Sequence, residues 1–216
     1  MIKLLRHGKL NNNEVDLHST NKLSYSIPLS ETGLQQSKRL ADHLSDQFIL
    51  SSSIYCSPYL STRQTLTQLL QAKNINPKIV SVVEDPRLRE NPSIYNNSKE
   101  DQNYRRVHGW FYKKYKDSES PAEVYDRTAS FVDNLKNQIV SKSITDSLII
   151  CHGITLRCIV THFLSLSIEQ FEDMHNPKNC EIITIAPKDK LNKPIFSHND
   201  WGVEGIKLRG LLRPID

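Results

Sequence analysis

Two apolar runs in this chain of 216 residues end in a histidine followed by a glycine: "IKLL" at 2 to 5 runs into Arg6-His7-Gly8, and "SLIIC" at 147 to 151 into His152-Gly153. A neutral imidazole is a competent nucleophile at mildly acidic pH. An arginine and a second imidazole beside it can stabilise the charge on phosphoryl oxygens. A glycine after each histidine lets the backbone approach a ligand closely. The sequence holds no HxH or HExxH, and Cys56, Cys151, Cys158 and Cys180 show no CxxC spacing, so a metal centre is the weaker reading. The chemistry these residues suggest is phosphoryl transfer through a phosphohistidine.

That chemistry requires the two histidines to meet, which is a demand on the fold. Short β-rich runs, "IKLL", "SIYC" (53 to 56), "KIVSVV" (78 to 83), "SLIIC" and "EIITIA" (181 to 186), alternate with helical patterns, the signature of an α/β layered fold with a mostly parallel sheet. Ligands bind at the carboxyl ends of strands in such sheets. Neighbouring first and fourth runs would bring His7 and His152 to one crevice, with a helix starting near Gly153 turning amide donors toward an anion. Ser57-Pro58 reads as a capping hydroxyl before a first-turn proline. Ser120-Pro121-Ala122-Glu123 reads as a capping box. Val124, Thr128, Phe131, Val132, Leu135 and Ile139 recur at helical spacing after that box, as do Leu34, Ser37, Ala41 and Leu44 earlier. The polar, Tyr-rich stretch from 91 to 119 reads as a cap-like excursion over one end of the sheet.

Composition narrows the field. A net charge of +4 with scattered basic residues fits anionic small molecules and argues against a nucleic-acid stripe; Arg105, Arg106, Lys113, Lys114 and Lys116 read as a solvated face. No apolar run approaches the roughly 20 residues of a membrane span, and no signal-peptide pattern opens the chain. The cysteines read as reduced core residues. The expectation is a cytoplasmic protein of one domain, 1 to 216, with no nucleic-acid or membrane partner.

"LLRHGK", "PLSETG", "YCSPY", "PRLRE" and "CHGITLR" stand in the order and approximate spacing of the histidine phosphatase superfamily, phosphoglycerate-mutase-like branch, and the resemblance covers nearly the whole chain. "ESPAEVYDR" and "HGITLRCIVTHFLSLSIEQFEDMHNPKNCEI" look most like a subgroup of small broad-range acid phosphatases. The resemblance implies His7 as nucleophile, Arg6 and His152 as phosphoryl ligands, and Glu90 as proton donor to the leaving alkoxide. Gly8, Gly153 and Asn13 fall to the phosphate-binding set. General-acid work by Glu90 needs a carboxyl whose pKa is raised by burial or a nearby negative charge. Most relatives carry an arginine at the position of Ser61. Arg63 is the nearest substitute, although two residues on a helix rotate it by about 200 degrees; Arg87 and Arg89 are further candidates.

The sequence thus predicts a three-layer α/β/α sandwich with a mostly parallel central sheet, phosphoglycerate-mutase-like. The predicted activity is metal-independent hydrolysis of small phosphate monoesters without a cofactor. Two rivals stand beside it: a phosphoglycerate-mutase-type transferase, and a phosphate-binding pseudo-phosphatase weakened at Ser61.

Overall fold

The computed structural model describes residues 1–11, 24–91, 103–104, 107–114 and 118–210. Within them, seven strands form one sheet: β1 (Ile2–Arg6), β2 (Ser52–Cys56), β3 (Val82–Glu84), β4 (Asp146–Cys151), β5 (Ile182–Pro187), β6 (Phe196–His198) and β7 (Trp201–Glu204), in the order β3-β2-β4-β1-β5-β7-β6. The half from β3 to β1 is parallel, whereas β5, β7 and β6 extend it antiparallel. The predicted fold class therefore holds, with an antiparallel edge added beyond β1. The helices are α1 (Glu31–Arg39), α2 (Asp46–Ser51), α3 (Leu60–Ala72), α4 (Pro121–Val140), α5 (Gly153–Phe163) and α6 (Ile168–Asp173).

Alternation along the strands creates the layers, because successive side chains point to opposite faces. Leu4, Tyr55, Ile149 and Cys151 bury against Val124, Phe131, Val132 and Leu135 of α4 and Leu156, Ile159 and Val160 of α5. Their strand neighbours Leu5, Ile54, Cys56, Leu148 and Ile150 bury on the other face against Leu40, Leu44, Ile49, Leu66 and Leu69. Runs apolar at every position are what a sheet covered on both faces requires. No helix among the described residues is long and apolar enough to cross a membrane. The four cysteines are free, and Cys56, Cys151 and Cys158 are buried.

The capping box before α4 is present in full: Ser120 Oγ accepts from the Glu123 amide, and the Glu123 carboxylate accepts from the Ser120 amide. The "KIVSVV" expectation needs correction. Pro77–Ile79 makes a 3-10 turn, and the strand is only Val82–Glu84. Asn76 explains the difference, since its side chain accepts from the Lys78 amide and, with Pro77 next to it, starts a turn instead of a strand.

The glycine of "PLSETG" has a packing role. Ser30 caps α1 by accepting from the Gly33 amide, while its own amide and hydroxyl both donate to the Lys9 carbonyl. This draws the first turn of α1 onto the loop that follows β1, so that a Cβ at Gly33 would stand 2.1 Å from the Lys9 carbonyl oxygen. Neither partner can yield without moving the Gly8–Lys9 backbone. Gly33→Ala is therefore expected to destabilise the fold by about 2–3 kcal/mol, read as a drop in the urea midpoint; an unchanged midpoint would contradict this packing account.

Candidate active site

Three parallel neighbours, β2, β4 and β1, each deliver a polar residue just past their carboxyl ends. Arg6 pairs with Cys151 in register, and the His7 amide donates to the Cys151 carbonyl at 3.1 Å. The Ser57 amide donates to the Ile150 carbonyl at 3.0 Å. Ser57, His152 and His7 consequently stand side by side along the sheet edge. The two imidazole rings lie 5.1 Å apart between centroids, and their side chains are 0% and 2% exposed for His152 and His7, which keeps bulk water from both.

The tautomers follow from the partners. His7 Nδ1 lies 2.7 Å from the Gly8 carbonyl oxygen, an acceptor only, so Nδ1 carries a proton and Nε2 is the nitrogen left to face the site. Nε2 faces Glu90 Oε2 at 3.6 Å. His152 holds the same carboxylate oxygen through Nδ1 at 2.8 Å and meets Ser57 Oγ through Nε2 at 2.8 Å. The carboxylate beside Nδ1 favours the proton on that nitrogen, and Nε2 then accepts from the Ser57 hydroxyl.

Glu90 belongs to the segment after β3, and its approach is fixed through the residue before it. The Arg89 carbonyl accepts from Arg127 Nη2 at 2.9 Å and from Thr155 Oγ1 at 2.9 Å, and the Arg87 carbonyl accepts from Arg127 Nη1 at 2.6 Å. Glu119 holds Arg127 in turn, with both carboxylate oxygens 3.0 Å from Nε. Burial alone would raise the Glu90 pKa, but the field of His152 and the hydrogen bonds from both imidazoles outweigh it, and the carboxyl sits below the usual carboxylate range. This differs from the raised pKa that general-acid work needs: without a phosphoryl group the carboxyl's nearest polar neighbours are imidazoles rather than an anion. Burial pushes His152 down, against the opposing pull of Glu90.

The structure brings Arg6, His7, Gly8, Glu90, His152 and Gly153 to this sheet edge. Arg6 Nη1 donates to the Pro177 carbonyl at 2.8 Å, while its buried Nε has no hydrogen-bond partner among the described residues. The Gly8 amide donates to Thr65 Oγ1 at 3.0 Å, and a Cβ there would lie 2.6 Å from the Gly33 carbonyl oxygen. Gly153 opens α5, with His152 at the N-cap making no side-chain cap hydrogen bond. Asn13 lies outside the described residues, as does most of the 91 to 119 stretch.

The predicted placement of Arg63 in the phosphate pocket is corrected. Its guanidinium engages Glu84 at 2.5 Å on an exposed face, as the rotation along α3 requires. Arg87 is equally committed to Asp85 at 2.6 Å, and Arg89 to Glu119. Ser57 is not a helix cap either, since α3 begins at Leu60 with Tyr59 at the N-cap. Its hydroxyl serves His152. Sequence reasoning also passed over Asn179, whose Nδ2 donates to the His7 carbonyl at 2.8 Å, and the Glu119–Arg127–Thr155 support of Glu90. A signal for Ser57 was present: it follows an apolar strand run just as His7 and His152 follow theirs.

His7, Glu90 and His152 also form a set of three metal-capable groups whose ligand atoms lie within 4.8 Å of one another. Two imidazoles and a carboxylate are donors that suit a borderline cation such as zinc. No linear motif reveals this set, because the three residues come from separate strand ends.

The family model of the histidine phosphatase superfamily (branch 1) matches residues 2–196. The chain is 28% identical over 201 residues to the phosphoglycerate mutase-like protein AT74 of Arabidopsis thaliana, covering 84% of this chain and 63% of that protein, so it spans less than two thirds of that relative's length. It is 26% identical over 123 residues to the broad-range acid phosphatase DET1 of Saccharomyces cerevisiae, covering 53% of this chain and 37% of that one. Among solved structures, the mycobacterial glucosyl-3-phosphoglycerate phosphatase complexed with VO3 aligns at a TM-score of 0.65 with 18% identity, over 94% of this chain and 96% of that one. A phosphoserine phosphatase mutant from Entamoeba histolytica in complex with phosphoserine aligns at 0.65 with 17% identity, over 95% of each chain. At these identities the two structures speak to fold alone.

Proposed function

This chain belongs to the histidine phosphatase superfamily, branch 1, and on that premise we propose that it hydrolyses small phosphate monoesters through a phosphohistidine on His7. One observation carries the reading: the buried His7 is held through Nδ1 by the Gly8 carbonyl with its Nε2 turned toward Glu90. His7 Nε2 attacks phosphorus and forms a P–N bond as the P–O bond to the leaving group breaks. Arg6 and His152 stabilise the phosphoryl oxygens, the Arg6 Nε–H gaining the acceptor it lacks.

Glu90 supplies the proton to the departing oxygen. Its carboxylate resides between the imidazoles in the resting site, and it takes up a proton from the medium as substrate binds: a phosphoryl dianion between the same imidazoles offsets the partners that hold the carboxyl low and raises its affinity for a proton. Water then attacks the phosphohistidine, Glu90 takes the water proton, the P–N bond breaks, and orthophosphate leaves with the His7 lone pair restored.

A metal-assisted hydrolysis is the second reading, favoured by the three clustered ligand atoms. Phosphate release from p-nitrophenyl phosphate and from an alkyl phosphate, before and after dialysis against a chelator, separates the two. The phosphohistidine route predicts rates within about twofold of each other, since it needs no Lewis acid. Loss of turnover on chelation, with recovery on adding zinc, would overturn it. Adding 3-phosphoglycerate with a bisphosphate primer to the same assay tests the mutase alternative, for which sustained transfer without phosphate release is the contrary result.

A further inference from the structure

We propose that the site prefers phosphate monoesters whose leaving group carries an uncharged aromatic ring, held by a wall made of Tyr59 and Tyr25; this rests on the phosphohistidine reading above. The Tyr59 ring stands edge-on to His152 with centroids 5.0 Å apart, and Tyr25 stands edge-on to Tyr59 at 6.4 Å. The three rings step outward from a fully buried imidazole through a half-buried tyrosine to one that is 51% exposed. The step starts on the imidazole that contacts Glu90, so it flanks the side from which a protonated leaving group departs.

Charge points the same way. Recognition of a second anionic group on the substrate needs a cation not already engaged. Four guanidiniums beside this sheet edge are spoken for, Arg63 by Glu84, Arg87 by Asp85, and Arg89 and Arg127 by Glu119. Arg6 is assigned to the phosphoryl group itself, which leaves the exposed Lys9 as the cation of the loop after His7. At position 61, in the first turn of α3 just past Tyr59, the side chain is a buried serine that brings no charge. Two aromatic residues of the excursion contribute no comparable surface. Trp110 and Phe111 are buried and packed on Phe171, with both amides donating to Glu172 Oε1. What Tyr59 and Tyr25 offer a leaving group on the side of His152 is π surface: aromatic pairs gain edge-to-face attraction beyond the area they bury.

Direct calorimetric binding of three non-hydrolysable phosphonates to the full chain tests this without depending on leaving-group reactivity. Benzylphosphonate is expected to bind about threefold to tenfold more tightly than cyclohexylmethylphosphonate, which has similar bulk but no ring quadrupole. It should bind at least about tenfold more tightly than 3-phosphonopropionate, which carries a second negative charge. Tyr59→Leu should bring the benzyl-to-cyclohexylmethyl ratio to within about twofold. Tyr25→Ser, a change at a ring that is about half exposed, should lower the same ratio by a smaller factor. Equal affinities for the three ligands in the unmodified protein, or a preference that survives both substitutions, would overturn the proposal while leaving the phosphohistidine reading intact. Failure of every phosphonate to bind, together with absence of His7-dependent phosphate release, would overturn both.

Discussion

The His7→Ala variant is expected to release phosphate from p-nitrophenyl phosphate about ten thousand times more slowly than the unmodified protein, or slower still. The magnitude follows from the site's construction. Every step of the proposed reaction passes through a bond to His7 Nε2, and the neighbouring buried nucleophiles among the described residues are turned elsewhere: Ser57 faces His152 Nε2 rather than Glu90, and the two nitrogens of His152 face Ser57 and Glu90. The His7 amide and carbonyl still make their bonds to Cys151 and Asn179 in the variant, so the backbone of the loop has reason to persist. Steady-state assay with circular dichroism as a fold control reads the effect. A rate within tenfold of the unmodified protein would mean that the imidazole is not the nucleophile.

Glu90→Gln is expected to act selectively. The amide keeps the size and can still accept from His152 Nδ1, but it neither gives nor takes a proton. Hydrolysis of an alkyl phosphate, whose leaving alkoxide is strongly basic, should fall by about 10²- to 10⁴-fold. For p-nitrophenyl phosphate the leaving group departs without a proton, so formation of the phosphohistidine should be far less affected. Its breakdown still lacks a base to activate water. Rapid mixing should accordingly show a burst of nitrophenolate near one equivalent per protein, followed by slow turnover. An equal loss on both esters with no burst would assign Glu90 a positioning role instead of proton transfer.

Much of this site was legible in the sequence because its parts obey a local rule. A polar residue directly after an apolar strand run in a parallel sheet has to emerge at the carboxyl edge, and His7 and His152 do so from strands paired in register. The capping box before α4 is equally local, contained in four residues. What remained hidden depends on distant partners. The lowered pKa of Glu90 arises from two imidazoles 83 and 62 residues away in sequence, and nothing near Glu90 announces them. Arg63, Arg87 and Arg89 each looked available for phosphate until the structure assigned them to Glu84, Asp85 and Glu119, choices that rest on side-chain geometry across elements. Strands β6 and β7 are short and carry polar or glycine positions among their apolar ones, so their periodicity is weak, and pairing with β5 decides them.

The central claim is covalent, and its most direct measurement is a quench-flow trap with a ³²P-labelled monoester, followed by peptide mapping of the quenched protein. The account predicts label that survives base, is lost in acid as a phosphoramidate should be, and maps to the peptide bearing His7. Label that is stable to acid, label on a peptide without His7, or a turning-over preparation that never retains label would contradict it.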